Sequence, residues 1–113
     1  MAHNAQPMPI QGVIFDYGRV LAWTQNQEPR AAWERRLGLE PGALTRAVHN
    51  EHSWIAAQRG TITVDALWQE VATALRVTPE DTTALRAAFY AGDVLNAELV
   101  ACIDRLRVLG LRV

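Results

Sequence analysis

Lysine is missing from this chain altogether: all positive charge rests on eleven arginines, set against twelve acidic residues for a net charge of −1 and a pI near 6.3. So balanced a surface has no electrostatic footprint for a phosphate backbone or an anionic bilayer, and neither nucleic acid nor a membrane is an expected partner. Cysteine is nearly missing too. The single Cys102 excludes an internal disulfide framework and any multi-cysteine zinc or iron–sulfur site, which suits a reducing compartment, so a cytoplasmic protein is expected. No apolar stretch approaches the ~20 residues needed to span a bilayer. Residues 1–9, with two prolines and neither a basic nor a long apolar region, do not read as a secretory signal and instead read as a mobile leader outside the fold. Internal repeats and low-complexity tracts are absent as well. What remains is a chain of 113 residues, half of them hydrophobic, enough for one globular core and too short for two of ordinary size.

Val13, Ile14 and Phe15 form a short apolar run, β-branched and aromatic, too brief for a helix of normal length. It predicts a buried strand. A continuous run, rather than an alternating one, suits the centre of a parallel sheet with both faces covered. Tyr17-Gly18-Arg19 then breaks the pattern into a turn and leaves Asp16 at the carboxyl end of the strand, the edge at which open α/β sheets bind ligands.

From about residue 28 the apolar spacing changes to three and four, and the chain reads as a run of helices. Pro29 opens one through Leu37, ended by Gly38, and Pro41 opens another carrying Leu44, Val48 and His52 along a face. Thr63 caps a helix with the stripe Val64, Leu67, Trp68, Val71 and Leu75. Thr78-Pro79-Glu80-Asp81 joins a cap, a first-turn proline and two acids suited to the positive end of a helix dipole. Asn96 caps a last helix with the stripe Leu99, Ile103, Leu106 and Leu109, which Gly110 ends, and Leu111-Arg112-Val113 reads as the opening of a further strand.

The segment Val13-Ile14-Phe15-Asp16-Tyr17-Gly18-Arg19-Val20-Leu21 resembles the first motif of the haloacid dehalogenase superfamily, an apolar strand running into Asp-x-(Asp or Gly)-x-(Val or Thr)-Leu. The stretches 54–63, 96–100 and 106–113 look like the helical cap and return helix of its phosphatase-like members. The resemblance implies an α/β fold: a mobile leader (1–9), the first strand of a Rossmann-like core with its nucleophile loop (10–22), an inserted helical cap (23–95), then a return helix and the start of a second core strand (96–113). It also implies a chain cut before the rest of the parallel sheet and mostly helical as it stands; the unpaired backbone of its two short strands and the uncovered stripe of the last helix predict self-association.

The resemblance further implies that Asp16 attacks phosphorus to give an aspartyl-phosphate and ligates Mg2+ with its other oxygen, the Gly18 backbone carbonyl being a second ligand. The implied reaction is hydrolysis of a small phosphorylated metabolite. Arg19 either meets a substrate anion or points to solvent, and Trp23, the tryptophan nearest the motif, either packs or lines a substrate pocket. Gly18 stands where many relatives have an Asp that protonates the leaving group, so no general acid is assigned. The later Ser or Thr, the Lys and the second acidic cluster of the family do not occur here, and the chain alone is expected to be inactive. Two other readings stay open: a dehalogenase, with the same Asp attacking carbon, and a non-catalytic helical fragment that acts through a partner.

The remaining reactive side chains carry simpler readings. His49 and His52, three apart without a third ligand in view, predict solvated or packing histidines rather than a metal site. Cys102 on the last helix predicts a small buried hydrophobe. Trp33, Trp54 and Trp68 predict packing, and Arg35 and Arg36 a solvated helix face.

Overall fold

The structure, a computed structural model, describes residues 9–113, so the leader expected at 1–9 lies outside the described residues except for exposed Pro9. The element order is β1 (Ala22–Thr24), α1 (Glu28–Arg36), α2 (Ala43–Val48), α3 (Ser53–Gln58), α4 (Val64–Leu75), α5 (Pro79–Ala91), β2 (Asp93–Leu95) and α6 (Ala97–Val108). The protein is mostly helical. β1 and β2 form a small sheet, and the bonds from Asn96 N–H to Leu21 O (2.8 Å) and from Gln25 N–H to Gly92 O (2.9 Å) set an antiparallel register. Among the described residues no helix is long and apolar enough to cross a membrane.

The chain divides into two compact units, one formed by 9–23 with Val94–Val113, the other by Thr24–Asp93. The second contains α1 to α5, with α4 packed against α2, α3 and α5, and α1 against α2 and α5. Its core is Leu44, Val48, Leu67, Trp68, Val71, Leu85 and Phe89. α4 stands in the middle because its stripe is the most apolar and its start is well specified: Thr63 Oγ1 accepts from Ala66 N–H at 3.0 Å. Thr78 does the same for α5, accepting from Asp81 N–H at 3.3 Å. The burial differs from the expected stripe at one end, since Ala72 is buried and Val64, in the first turn, is exposed.

The single helix expected to run from Pro41 to His52 is two helices. Asn50 explains the break: its Oδ1 accepts from both His52 N–H (2.9 Å) and Ser53 N–H (2.7 Å), and its Nδ2 donates to Ala47 O (3.0 Å) and Ser53 Oγ (2.7 Å). One side chain therefore closes α2 and caps α3. His49 and His52 consequently do not share a helix face.

The buried parallel strand expected at Val13 to Phe15 is present only as one bridge, Gly12 to Arg112, with Val13 N–H donating to Arg112 O (2.8 Å) and Arg112 N–H to Gln11 O (3.0 Å). Strand structure needs a neighbour along its length, and 111–113 supplies two hydrogen bonds. Parallel register puts Val13, Phe15 and Leu111 on one face, where they are half-buried; on α6, Ile103 is buried and Leu99 and Leu106 are half-buried. The other face is bare: Ile10 is 74% exposed and Ile14 99%. Leu109, expected in the α6 stripe, is also exposed because it is the C-cap residue rather than part of the helix.

Candidate active site at the Asp16 loop

Asp16 follows the bridged segment and is exposed, its Oδ1 accepting from Tyr17 N–H at 2.8 Å. The chain then folds back on a single acceptor. Tyr17 O receives Val20 N–H (3.3 Å), Leu21 N–H (2.9 Å) and Ala22 N–H (3.0 Å), while Arg19 N–H donates to Ala22 O (2.8 Å). Arg19 adopts the left-handed region at φ 62° to make this turn, a conformation that costs a residue with a Cβ about 1–2 kcal/mol. Gly18 is not left-handed, and a Cβ there would meet nothing within 4 Å. Its carbonyl accepts none of the loop's backbone hydrogen bonds.

Two oxygens therefore lie close in sequence at this loop, the Asp16 carboxylate and the Gly18 carbonyl, both hard donors of the kind Mg2+ takes. Mg2+ usually keeps several waters beside one or two carboxylates. No group of three His, Cys, Asp or Glu side chains able to hold a metal occurs among the described residues. Arg19 makes no side-chain ion pair or hydrogen bond among the described residues, and Trp23, on β1, is 40% exposed. Neither is hydrogen-bonded to Asp16.

The other singled-out side chains have structural surroundings. His49 lies 4.4 Å from the Trp54 ring and edge-on to Phe89 at 5.8 Å. Partial burial, reinforced by the Arg30 charge and opposed by Asp93, pulls its pKa below the ordinary histidine value. Cys102 is a free, half-buried thiol on α6. Arg35 and Arg36 are largely exposed and pair with Glu28 and Asp81.

A polar network at α1 is not visible in the apolar pattern. Arg30, 7% exposed, donates from Nε to Phe89 O (2.7 Å), from Nη1 to Thr45 Oγ1 (3.2 Å) and from Nη2 to Asp93 Oδ1 (3.3 Å), and Thr24 Oγ1 donates to the same Asp93 oxygen at 2.6 Å. Burial lowers the Arg30 pKa, against the raising effects of Asp93, Tyr90 and Glu34. Glu34, one turn on, accepts from Leu44 N–H at 3.0 Å. The one sequence signal for this pair is its spacing of four on a helix poor in apolar residues. Comparison with protein-family models, with curated proteins and with solved structures gives no match.

Proposed function

We propose that this chain carries the nucleophile loop and helical cap of a hydrolase like those of the haloacid dehalogenase superfamily, acting on a small phosphorylated metabolite. The observation that supports the reading most is the parallel bridge between Gly12 and Arg112. The connection between the two bridged segments runs through α1 to α5 and returns by α6, and a carboxylate lies just beyond the carboxyl end of the first, the edge at which open α/β sheets bind ligands.

In this reading an Asp16 oxygen attacks phosphorus, the bond from phosphorus to the ester oxygen breaks, and the leaving alkoxide takes a proton from water because Gly18 has no side chain to give one. Water then attacks the aspartyl-phosphate at phosphorus, releasing phosphate and regenerating the carboxylate. Asp16 and the Gly18 carbonyl would hold Mg2+, which when bound supplies positive charge to offset repulsion between the carboxylate and the phosphoryl oxygens. Arg19 supplies the loop's own cation for a phosphoryl oxygen. With no lysine in the chain, charge stabilisation of the transferring group is thin, and turnover of a generic phosphomonoester by this chain stays near background.

The direct test is a phosphoryl mimic rather than turnover. Beryllofluoride with Mg2+ should shift the amide resonances of residues 16–19, and Asp16→Asn should remove the response. An identical response in Asp16→Asn, or none in the unsubstituted chain, rejects Asp16 as a phosphoryl acceptor.

A second reading, a non-catalytic interaction module that self-associates, is favoured by the bare face at Ile10 and Ile14. Sedimentation should then show a concentration-dependent dimer that Ile14→Glu weakens, whereas a monomer at every concentration rejects it.

A further inference from the structure

In the loop after Asp16, the N–H groups of residues 20–22 turn inward onto Tyr17 O, and the carbonyls of Val20 and Leu21 pair outside the turn. Both find Asn96. Its backbone N–H donates to Leu21 O at 2.8 Å, and its side-chain Nδ2 donates to Val20 O at 3.4 Å across 76 positions of sequence. The orientation of that amide is set, because Oδ1 caps α6 by accepting from Leu99 N–H at 3.1 Å, which turns Nδ2 toward the loop. One residue thus ties the start of α6 to the far side of the turn that begins at Asp16.

We propose that Asn96 is the positioning residue of the Asp16 site, holding 17–22 in the shape that carries the Asp16 carboxylate and the Gly18 carbonyl. What the loop is shaped for rests on the function proposed above; that Asn96 shapes it does not. The side chain divides its work between two atoms, so substitutions can separate the roles. Asn96→Asp keeps the Oδ1 cap, which aspartate supplies as well as asparagine, and replaces the donor toward Val20 O with a second acceptor. Asn96→Ser keeps a cap with a side chain too short to reach Val20. Asn96→Ala loses both functions.

Amide hydrogen exchange on the full chain decides between coupling and simple capping. In Asn96→Asp and Asn96→Ser, the amides of Leu21 and Ala22 should exchange about fivefold faster, the factor expected for one net hydrogen bond, while those of α6 from Leu99 onward keep their protection. In Asn96→Ala both sets should loosen. Unchanged loop exchange in the aspartate and serine variants, or loosening of α6 alone in the alanine variant, overturns the proposal. A Mg2+ titration followed at the amides of 16–19 adds the functional arm: a response that weakens in Asn96→Ser supports positioning, and one of equal strength overturns it. Absence of any Mg2+ response in the unsubstituted chain counts against the metal reading of the loop, and the exchange result then decides for Asn96 on its own.

Discussion

Arg30 holds Phe89 twice: its Nε donates to the Phe89 carbonyl at 2.7 Å, and its guanidinium carbon lies 3.8 Å over the Phe89 ring. The carbonyl belongs to the last turns of α5, where a cation complements the negative end of the helix dipole. Four residues on, Glu34 puts a carboxylate on the positive end of α2 through Leu44 N–H. α1 therefore braces the helical unit by charge at both neighbours, which compensates for its weak apolar stripe. Arg30→Met should lower the free energy of unfolding by about 2–4 kcal/mol, the cost of removing a buried charged donor from several acceptors. Arg30→Lys should recover only part of this, because an ammonium cannot reproduce the fork or the ring stacking. Arg35→Ala, at a site 65% exposed, should leave the urea midpoint where it is. Equal midpoints for Arg30→Met and Arg35→Ala would show that the brace contributes nothing.

His49 gives the unit a pH dependence of definite sign. Burial and the neighbouring Arg30 charge lower its folded-state proton affinity, with Asp93 opposing them. Below about pH 6.5, the ordinary histidine value, the unfolded chain therefore binds more protons than the folded one, and stability falls as pH drops through that window. Above it both states are neutral at this position and the contribution is flat. Thermal melts from pH 8 to pH 5 should show a slope that His49→Gln reduces, the difference between the two curves removing the share of the carboxylates. Parallel curves would contradict the assignment.

Two glycines with similar surroundings in sequence should behave in opposite ways. Gly92, buried at the end of α5, lies against Asn26, and a Cβ there would collide with the Asn26 carbonyl oxygen and carbon. This is close backbone approach rather than special dihedral angles, since its φ is −91°. Gly92→Ala should destabilise by about 1–3 kcal/mol or more, as overpacking against backbone cannot be relieved by a rotamer change. Gly18→Ala, with open space around the added carbon, should melt with the parent, and Gly18→Asp should fold equally well. A collapsed Gly18→Asp would mean the loop is tighter than its geometry implies.

Local chemistry and long-range pairing differ in how far the sequence shows them. Thr63, Thr78 and Asn96 cap where a short polar residue precedes an apolar period, because an N-cap is local chemistry over three residues. Asn50 is also local, yet its double use as stop and start is hidden inside a period that continues through it. Arg30, Glu34 and the Asn96 bond to Val20 depend on partners 10 to 76 positions away, which no periodicity encodes. Val13 to Phe15 illustrates the opposite failure. Its composition states a preference for a sheet with two covered faces, whereas strand structure is a property of pairing, and the described neighbours cover one face. Tyr17-Gly18-Arg19 was legible as a turn; the gathering of three N–H groups on Tyr17 O was not.

Arg76 closes α4 in the left-handed conformation, φ 57° and ψ 38°, the place where most helices with such an ending have glycine. Its N–H donates to Thr73 O at 3.2 Å, and the next residue, Val77, donates to Ala72 O at 2.8 Å, so the carbonyls of the last turn are satisfied by the chain reversal itself. The arginine side chain is exposed and forms no ion pair among the described residues, leaving its Cβ as a steric cost of about 1–2 kcal/mol. Glycine removes that cost and adds an unfolded-state entropy penalty of roughly 0.5–1 kcal/mol. Arg76→Gly should therefore stabilise the protein slightly, by about 0.5–1 kcal/mol net, and Arg76→Val, β-branched and intolerant of positive φ, should destabilise it. The ordering of urea midpoints, glycine above arginine above valine, is the measurement. Valine equal to arginine would show that α4 ends without the left-handed residue.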